Sequence, residues 1–91
     1  MSYIVRESWG CCRQDSEKKV YKTSSPQKRL KQLFYDLLRE AEFTEERIIE
    51  IKKEIDECEE YEDEGCGFEE NVAWVDFDDV YSTRTYLEIV A

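Results

Sequence analysis

The clearest hydrophobic pattern in the chain lies between residues 26 and 42. Leu30, Leu33, Phe34, Leu37, Leu38 and Ala41 recur at the spacing of one helical face. This predicts a helix from Pro26 to Glu42, with Ser25 as its N-cap and Pro26 at the first helical position, where a missing N–H costs nothing. A second stripe, Ile48, Ile51, Ile55 and Cys58, follows Thr44, which suits an N-cap, and Glu45 and Glu46 complement the dipole of a first turn. Read as continuous, this second helix extends to about Glu64 and is ended by Gly65 and Gly67 at the latest, with Cys58 in its seam. The link at Phe43-Thr44 is too short for anything but antiparallel neighbours, so the pair reads as an αα-hairpin.

The flanks alternate with the period of strands instead. Tyr3-Ile4-Val5 and Lys19-Val20-Tyr21-Lys22 are short and β-branched or aromatic, with Gly10 in the loop between them. From Val72 to Phe77, Val72, Trp74 and Asp76 oppose Ala73, Val75 and Phe77; between Thr83 and Val90, Tyr86, Glu88 and Val90 oppose Leu87 and Ile89. Asp78-Asp79 is turn-like, and Gly65-Cys66-Gly67 reads as a flexible joint. The expected architecture is one small α+β domain over residues 1–91 in ββααββ order, an antiparallel sheet with the helical hairpin packed on one face.

Composition narrows the function classes. The 91 residues carry 23 acids, 13 bases and no histidine, a formal net charge of -10. A direct, sequence-independent grip on nucleic acid needs a cationic surplus and is not expected. Histidine-based nucleophile pairs and histidine metal ligands are excluded outright. No apolar run follows the N-terminus and none is long enough to span a bilayer, so the expectation is a cytoplasmic protein that does not engage a membrane.

The charge is unevenly placed. Lys18 to Lys31 holds Lys18, Lys19, Lys22, Lys28, Arg29 and Lys31 with no acid among them, whereas Glu54 to Glu64 is dominated by acids and has no base. On a continuous helix those acids would approach the linear charge density of duplex DNA, about one charge per 1.7 Å. They would also break local rules, through like charges at i,i+3 and i,i+4 and negative charge at a helix C-terminus. An antiparallel hairpin would bring Lys31 level with Asp56 and Lys28 level with Glu59, offsetting part of the run. Exposed pairs of this kind contribute only about 0–1 kcal/mol each.

The expected activity is therefore binding rather than catalysis, with no cofactor. Asp56, Glu57, Glu59, Glu60, Glu62, Asp63 and Glu64, with Asp76, Asp78 and Asp79 as a second cluster, are the candidate partner-binding residues. They would stand in for phosphates against the lysines and arginines of a basic, nucleic-acid-binding protein, as an inhibitor competing with nucleic acid would. In size and charge this is comparable to small viral anti-defence proteins. A homo-oligomer is compatible with the opposed basic and acidic runs.

The alternative is a metal-binding or redox domain built on Cys11, Cys12, Cys58 and Cys66. Neither pair has the C-x2-4-C spacing of a zinc knuckle, and acidic surroundings disfavour the thiolate. A calcium loop begun at Glu60 would reach Asn71 where a glutamate is required. Ser25-Pro26-Gln27-Lys28 spells the S-x-x-K of penicillin-binding enzymes, but a chain this short cannot build their pocket. Trp9, Trp74 and the tyrosines are the residue types that anchor interfaces, or simply fill a core.

Overall fold

A computed structural model describes residues 2–9, 17–77 and 84–90. In chain order the elements are β1 (Ser2–Trp9), β2 (Glu17–Thr23), α1 (Pro26–Glu40), α2 (Glu45–Cys58), β3 (Tyr61–Asp63), β4 (Cys66–Phe68), β5 (Val72–Asp76) and β6 (Arg84–Val90). The strands form one six-stranded antiparallel sheet in the order β2-β1-β6-β5-β4-β3. The fold is α+β, as the alternation of periods predicts, with two short strands, β3 and β4, added after the helices. Sheet neighbours are consecutive in the chain except β1 and β6, which pair along the whole of β6 from Tyr3↔Val90 to Trp9↔Arg84. The αα-hairpin links the two edge strands, β2 and β3.

Both helices lie on one face of the sheet. Their stripes, Leu30, Leu33, Phe34, Leu37 and Leu38 from α1 and Ile48, Ile51 and Ile55 from α2, are buried against Ile4, Cys66, Phe68, Ala73, Val75 and Leu87. Full burial of a leucine, isoleucine or phenylalanine side chain contributes roughly 1.5–3 kcal/mol, so this single layer carries the stability of the fold. Phe34 and Phe68 meet with ring centroids 5.5 Å apart and fasten α1 to β4. The sheet residues of alternate parity, among them Val20, Trp74, Tyr86 and Val90, lie on the opposite face, which no described helix covers. No helix among the described residues is long and apolar enough to cross a membrane.

The helix ends depart from expectation in instructive ways. Ser25 precedes α1, but its hydroxyl makes no capping bond; its N–H donates to Thr23 Oγ1 at 3.0 Å instead. Thr44 does cap α2, accepting from the Arg47 N–H at 3.2 Å. Helix α1 closes in a Schellman arrangement. The Phe43 N–H donates to Leu38 O and the Glu42 N–H to Arg39 O, with Glu42 left-handed at φ 65°. Helix α2 ends at Cys58 rather than near Glu64, with Glu59 left-handed at φ 58° and its N–H donating to Ile55 O at 2.8 Å. Ile55 is the last apolar residue of its stripe to be buried, and beyond it repulsion among acids at the negative end of the dipole opposes another turn. Cys58 is exposed, not in the helical seam. Gly65-Cys66-Gly67 is no flexible joint: Gly65, at φ +89°, makes the β3–β4 turn, and Cys66 and Gly67 are buried in β4.

Candidate functional site

The acidic run is folded back on itself. Asp56 and Glu57 occupy the exposed side of the last turn of α2, Glu59 and Glu60 the reversal, Glu62 and Asp63 edge strand β3, and Glu64 the turn into β4. It is a bend of carboxylates at one end of the helical layer, not a rod with the spacing of a phosphate backbone. Asp78 and Asp79, like Cys11 and Cys12, lie outside the described residues.

Two candidate acids are occupied within the molecule. Asp63 accepts from the Glu64 N–H at 2.7 Å and from the Tyr61 hydroxyl at 3.0 Å, and Arg47 lies 3.7 Å away. The backbone N–H, then the hydroxyl and the guanidinium, hold its carboxyl below the ordinary carboxylate value. Burial and the bond to Asp63 push the Tyr61 hydroxyl up to about 12. Arg47 also donates to Glu64 O at 3.0 Å and stacks on Phe43 at 4.5 Å, so it ties the β3–β4 turn to the first turn of α2. Asp76 is the second: it receives both Nε and Nη2 of Arg84, the latter at 2.9 Å, in a forked pair across the β5–β6 register. That pairing removes Asp76 from the unmatched acids expected of the second cluster.

Among the described residues, no ion pair involves Asp56, Glu57, Glu59, Glu60, Glu62 or Glu64. Lys31 does reach their neighbourhood, opposite Glu59 rather than Asp56, across a hollow of about 210 Å³ that Gln27, Phe68 and Glu70 complete. No ion pair between described residues joins Lys28, Arg29 or Lys31 to the run, so the expected neutralisation is at most long-range.

A second hollow of about 300 Å³ lies beside it, lined by Cys58, Glu60, Tyr61, Glu62, Phe68 and Glu69. Half-buried Tyr61 supplies its accessible aromatic surface, Phe68 beneath being buried, and Glu60, Glu62 and Glu69 surround it. This is the shape a lysine or arginine uses, with the aliphatic stem on an aromatic surface and the charged head among carboxylates. Glu69 and Glu70 were not among the residues singled out from the sequence. They sit in the β4–β5 turn, where the Glu69 N–H donates to Val72 O at 2.7 Å, and only the turn folds them toward Glu59 and Glu60. A run of acids interrupted by Gly65-Cys66-Gly67-Phe68 and resumed at Glu69-Glu70 is the signal that could have found them.

The cysteines are placed apart in character. Cys58 is exposed; Cys66 is buried, and burial pushes its thiol up to about 11, away from the thiolate that metal binding or exchange requires. Among the described residues, no group of three or more cysteine or acidic side chains is positioned to hold a metal ion.

No known protein family matches this chain, and no curated protein or solved structure is similar to it.

Proposed function

We propose that the chain is a non-enzymatic acidic binding protein that docks the end of its helical layer on a basic surface, and that the partner is a nucleic-acid-binding protein from which it excludes nucleic acid. The observation that carries this reading is the cluster of Glu59, Glu60, Glu62, Glu69 and Glu70 around two adjoining hollows, where Lys31 is the single base in the lining and no ion pair among the described residues engages the glutamates. Uncompensated like charges at one place weaken a fold, and such a departure is expected where a surface serves a partner. In this reading Asp56, Glu57 and Glu64 extend the negative field at the margin and speed encounter, while the glutamates around the hollows seat individual lysine or arginine side chains. Asp63 and Asp76 serve the fold.

The test is affinity capture with the full chain, with bound protein challenged separately by salt and by duplex DNA or RNA. The expected result is recovery of basic, nucleic-acid-binding proteins that both challenges release. Capture that nucleic acid does not displace would overturn the competitive part of the reading. Failure to retain any basic protein at low salt would overturn all of it.

A further inference from the structure

Strand β2 stands at one edge of the sheet, seven residues long and paired only with β1 among the described residues. Two backbone bonds fix which of its residues turn outward. The Ile89 N–H donates to Asn71 O at 2.9 Å, and the Asp76 N–H to Gly65 O at 2.7 Å. In an antiparallel ladder, successive residues point their backbone groups to one neighbour and then the other. On β6, therefore, Ile89 and Leu87 face β5, and Glu88 faces β1. Glu88 meets Val5, so Val5 faces β6 and Arg6 faces β2; Arg6 meets Lys19, so Lys19 and Tyr21 are bonded to β1. Lys18, Val20 and Lys22 then turn their N–H and C=O groups away from the sheet, and no backbone bond between described residues engages them. At the opposite edge, the same alternation from Asp76 leaves Glu62 as the one residue of β3 turned outward.

The side chains along β2 add a charge of one sign. On the open face of the sheet, Val20 is 58% exposed and Lys22 is exposed. On the helix side, the half-buried guanidinium of Arg29 stacks on Tyr21, 5.7 Å from the ring centroid. Both line a hollow of about 230 Å³ together with Arg6, Asp36 and Glu40. The two carboxylates there are held by other arginines, Glu40 by Arg6 at 3.1 Å and Asp36 by Arg39 at 3.3 Å. Among the described residues, Arg29 has no ion pair.

We propose that β2 is a docking edge for an extended acidic segment of a partner protein, added antiparallel as a further strand. In this mode of recognition main-chain hydrogen bonds supply the grip, here through the outward groups of Lys18, Val20 and Lys22, and side-chain pairs select the sequence. The register assigns that selection. The partner residue opposite Tyr21 projects on the helix side, within the about 4.5–5.5 Å of a cross-strand pair, and a glutamate there reaches the guanidinium of Arg29. The residue opposite Lys22 projects on the open face, where an acid pairs with the ammonium. The residue opposite Val20 is apolar and covers the exposed valine. From Lys18 to Lys31 the chain carries no acid to repel such a segment. Lysine at an edge deters pairing with a like edge, so the charge that favours an acidic strand also disfavours β2 on β2. This edge and β3, which borders the glutamate hollows, are at opposite ends of the sheet, so the proposal does not rest on what those hollows bind.

The test is titration of the isotope-labelled full chain with the synthetic peptide Thr-Glu-Glu-Val-Glu-Glu-Thr, which reads the same in both directions. Binding should slow amide exchange at Lys18, Val20 and Lys22 and leave Lys19 and Tyr21, already bonded to β1, little changed. A peptide with proline for the central valine lacks an N–H that the pairing requires and should bind about tenfold more weakly or worse. Arg29→Gln, on a surface partly open to water, should keep the circular dichroism of the parent and weaken the peptide about tenfold. The same variant should hardly change the affinity of Thr-Glu-Gln-Val-Gln-Glu-Thr, which has no acid opposite Tyr21. Absence of binding at about 1 mM peptide overturns the proposal. So does equal binding of the proline peptide, which would show contact by charge without strand pairing, and so does slowed exchange at Glu62 in place of β2. Tighter binding of a single-stranded oligonucleotide would assign the edge to nucleic acid, and protection of the same amides by self-association without peptide would assign it to a second copy; either overturns it as well.

Discussion

Trp74 lies over Gly67, its cross-strand neighbour, so closely that a Cβ at position 67 would fall within the indole ring. Gly67→Ala must displace the indole or bend β4. Overpacking of this kind costs about 1–3 kcal/mol, so the variant should melt well below the parent. Replacing Trp74 by leucine as well should recover much of the loss, since the collision is with the ring. Urea denaturation of the three variants measures it.

Both helices end on a glutamate held in the left-handed region, Glu42 and Glu59, where glycine is the usual occupant. A residue with a side chain pays about 1–2 kcal/mol there. Glu59→Gly should therefore stabilise the protein by about 1 kcal/mol, raising the melting temperature by roughly 4–8 °C for a domain of this size. Glu59→Ala, which keeps the strain and removes the charge, should gain far less. Equal gains from the two would assign the effect to electrostatics and not to the backbone.

The contacts of Asp63 and Tyr61 make stability depend on pH at both extremes. The Asp63 carboxyl is held below the ordinary 3.8, so it supports the folded state above that value and the support fades as pH falls through its folded-state value. The Tyr61 hydroxyl is raised from 10.0 to about 12, so its neutral form supports the fold below pH 10 and that support is lost as pH rises toward 12. Asp63→Asn should flatten the acid limb and Tyr61→Phe the alkaline one. Chemical denaturation across the pH range reads both slopes.

Removing the side chain of Arg47 should loosen the β3–β4 turn without melting the core. It loses the contact to Glu64 O and Asp63 on a surface partly open to water, a cost of about 1 kcal/mol. Amide exchange in Arg47→Ala should accelerate at residues 61–68 and remain unchanged at the buried positions of α1. Uniform acceleration would show that Arg47 supports the whole fold.

The helical hairpin and strands β5 and β6 were legible in the sequence because their burial is periodic: the stripe from Leu30 to Leu38 and the alternation from Val72 to Asp76 appear in the structure as read. Strand β3 was not. Tyr61-Glu62-Asp63 has no apolar alternation, and acids continuing from a helix look like more helix. What turns the chain there is tertiary: burial of the stripe stops at Ile55, and Arg47 reaches across from the start of α2 to hold the turn at Glu64. The identity of the unmatched acids was illegible for the same reason. Arg84 and Asp76 neutralise each other through a strand register, and Glu69 joins Glu60 through a turn, neither of which linear charge counting contains.

The central claim is that the function resides in where the carboxylates stand and not in the net charge of -10. It is tested most directly by two charge reversals of equal size. One is Glu59→Lys, Glu60→Lys and Glu69→Lys around the hollows; the other is Glu42→Lys, Glu46→Lys and Glu50→Lys, exposed on the helix link and the first half of α2. With both variants folded, the first should abolish the capture of nucleic-acid-displaceable basic proteins and the second should leave it largely intact. Equal loss in the two, or retention in the first, would contradict the account.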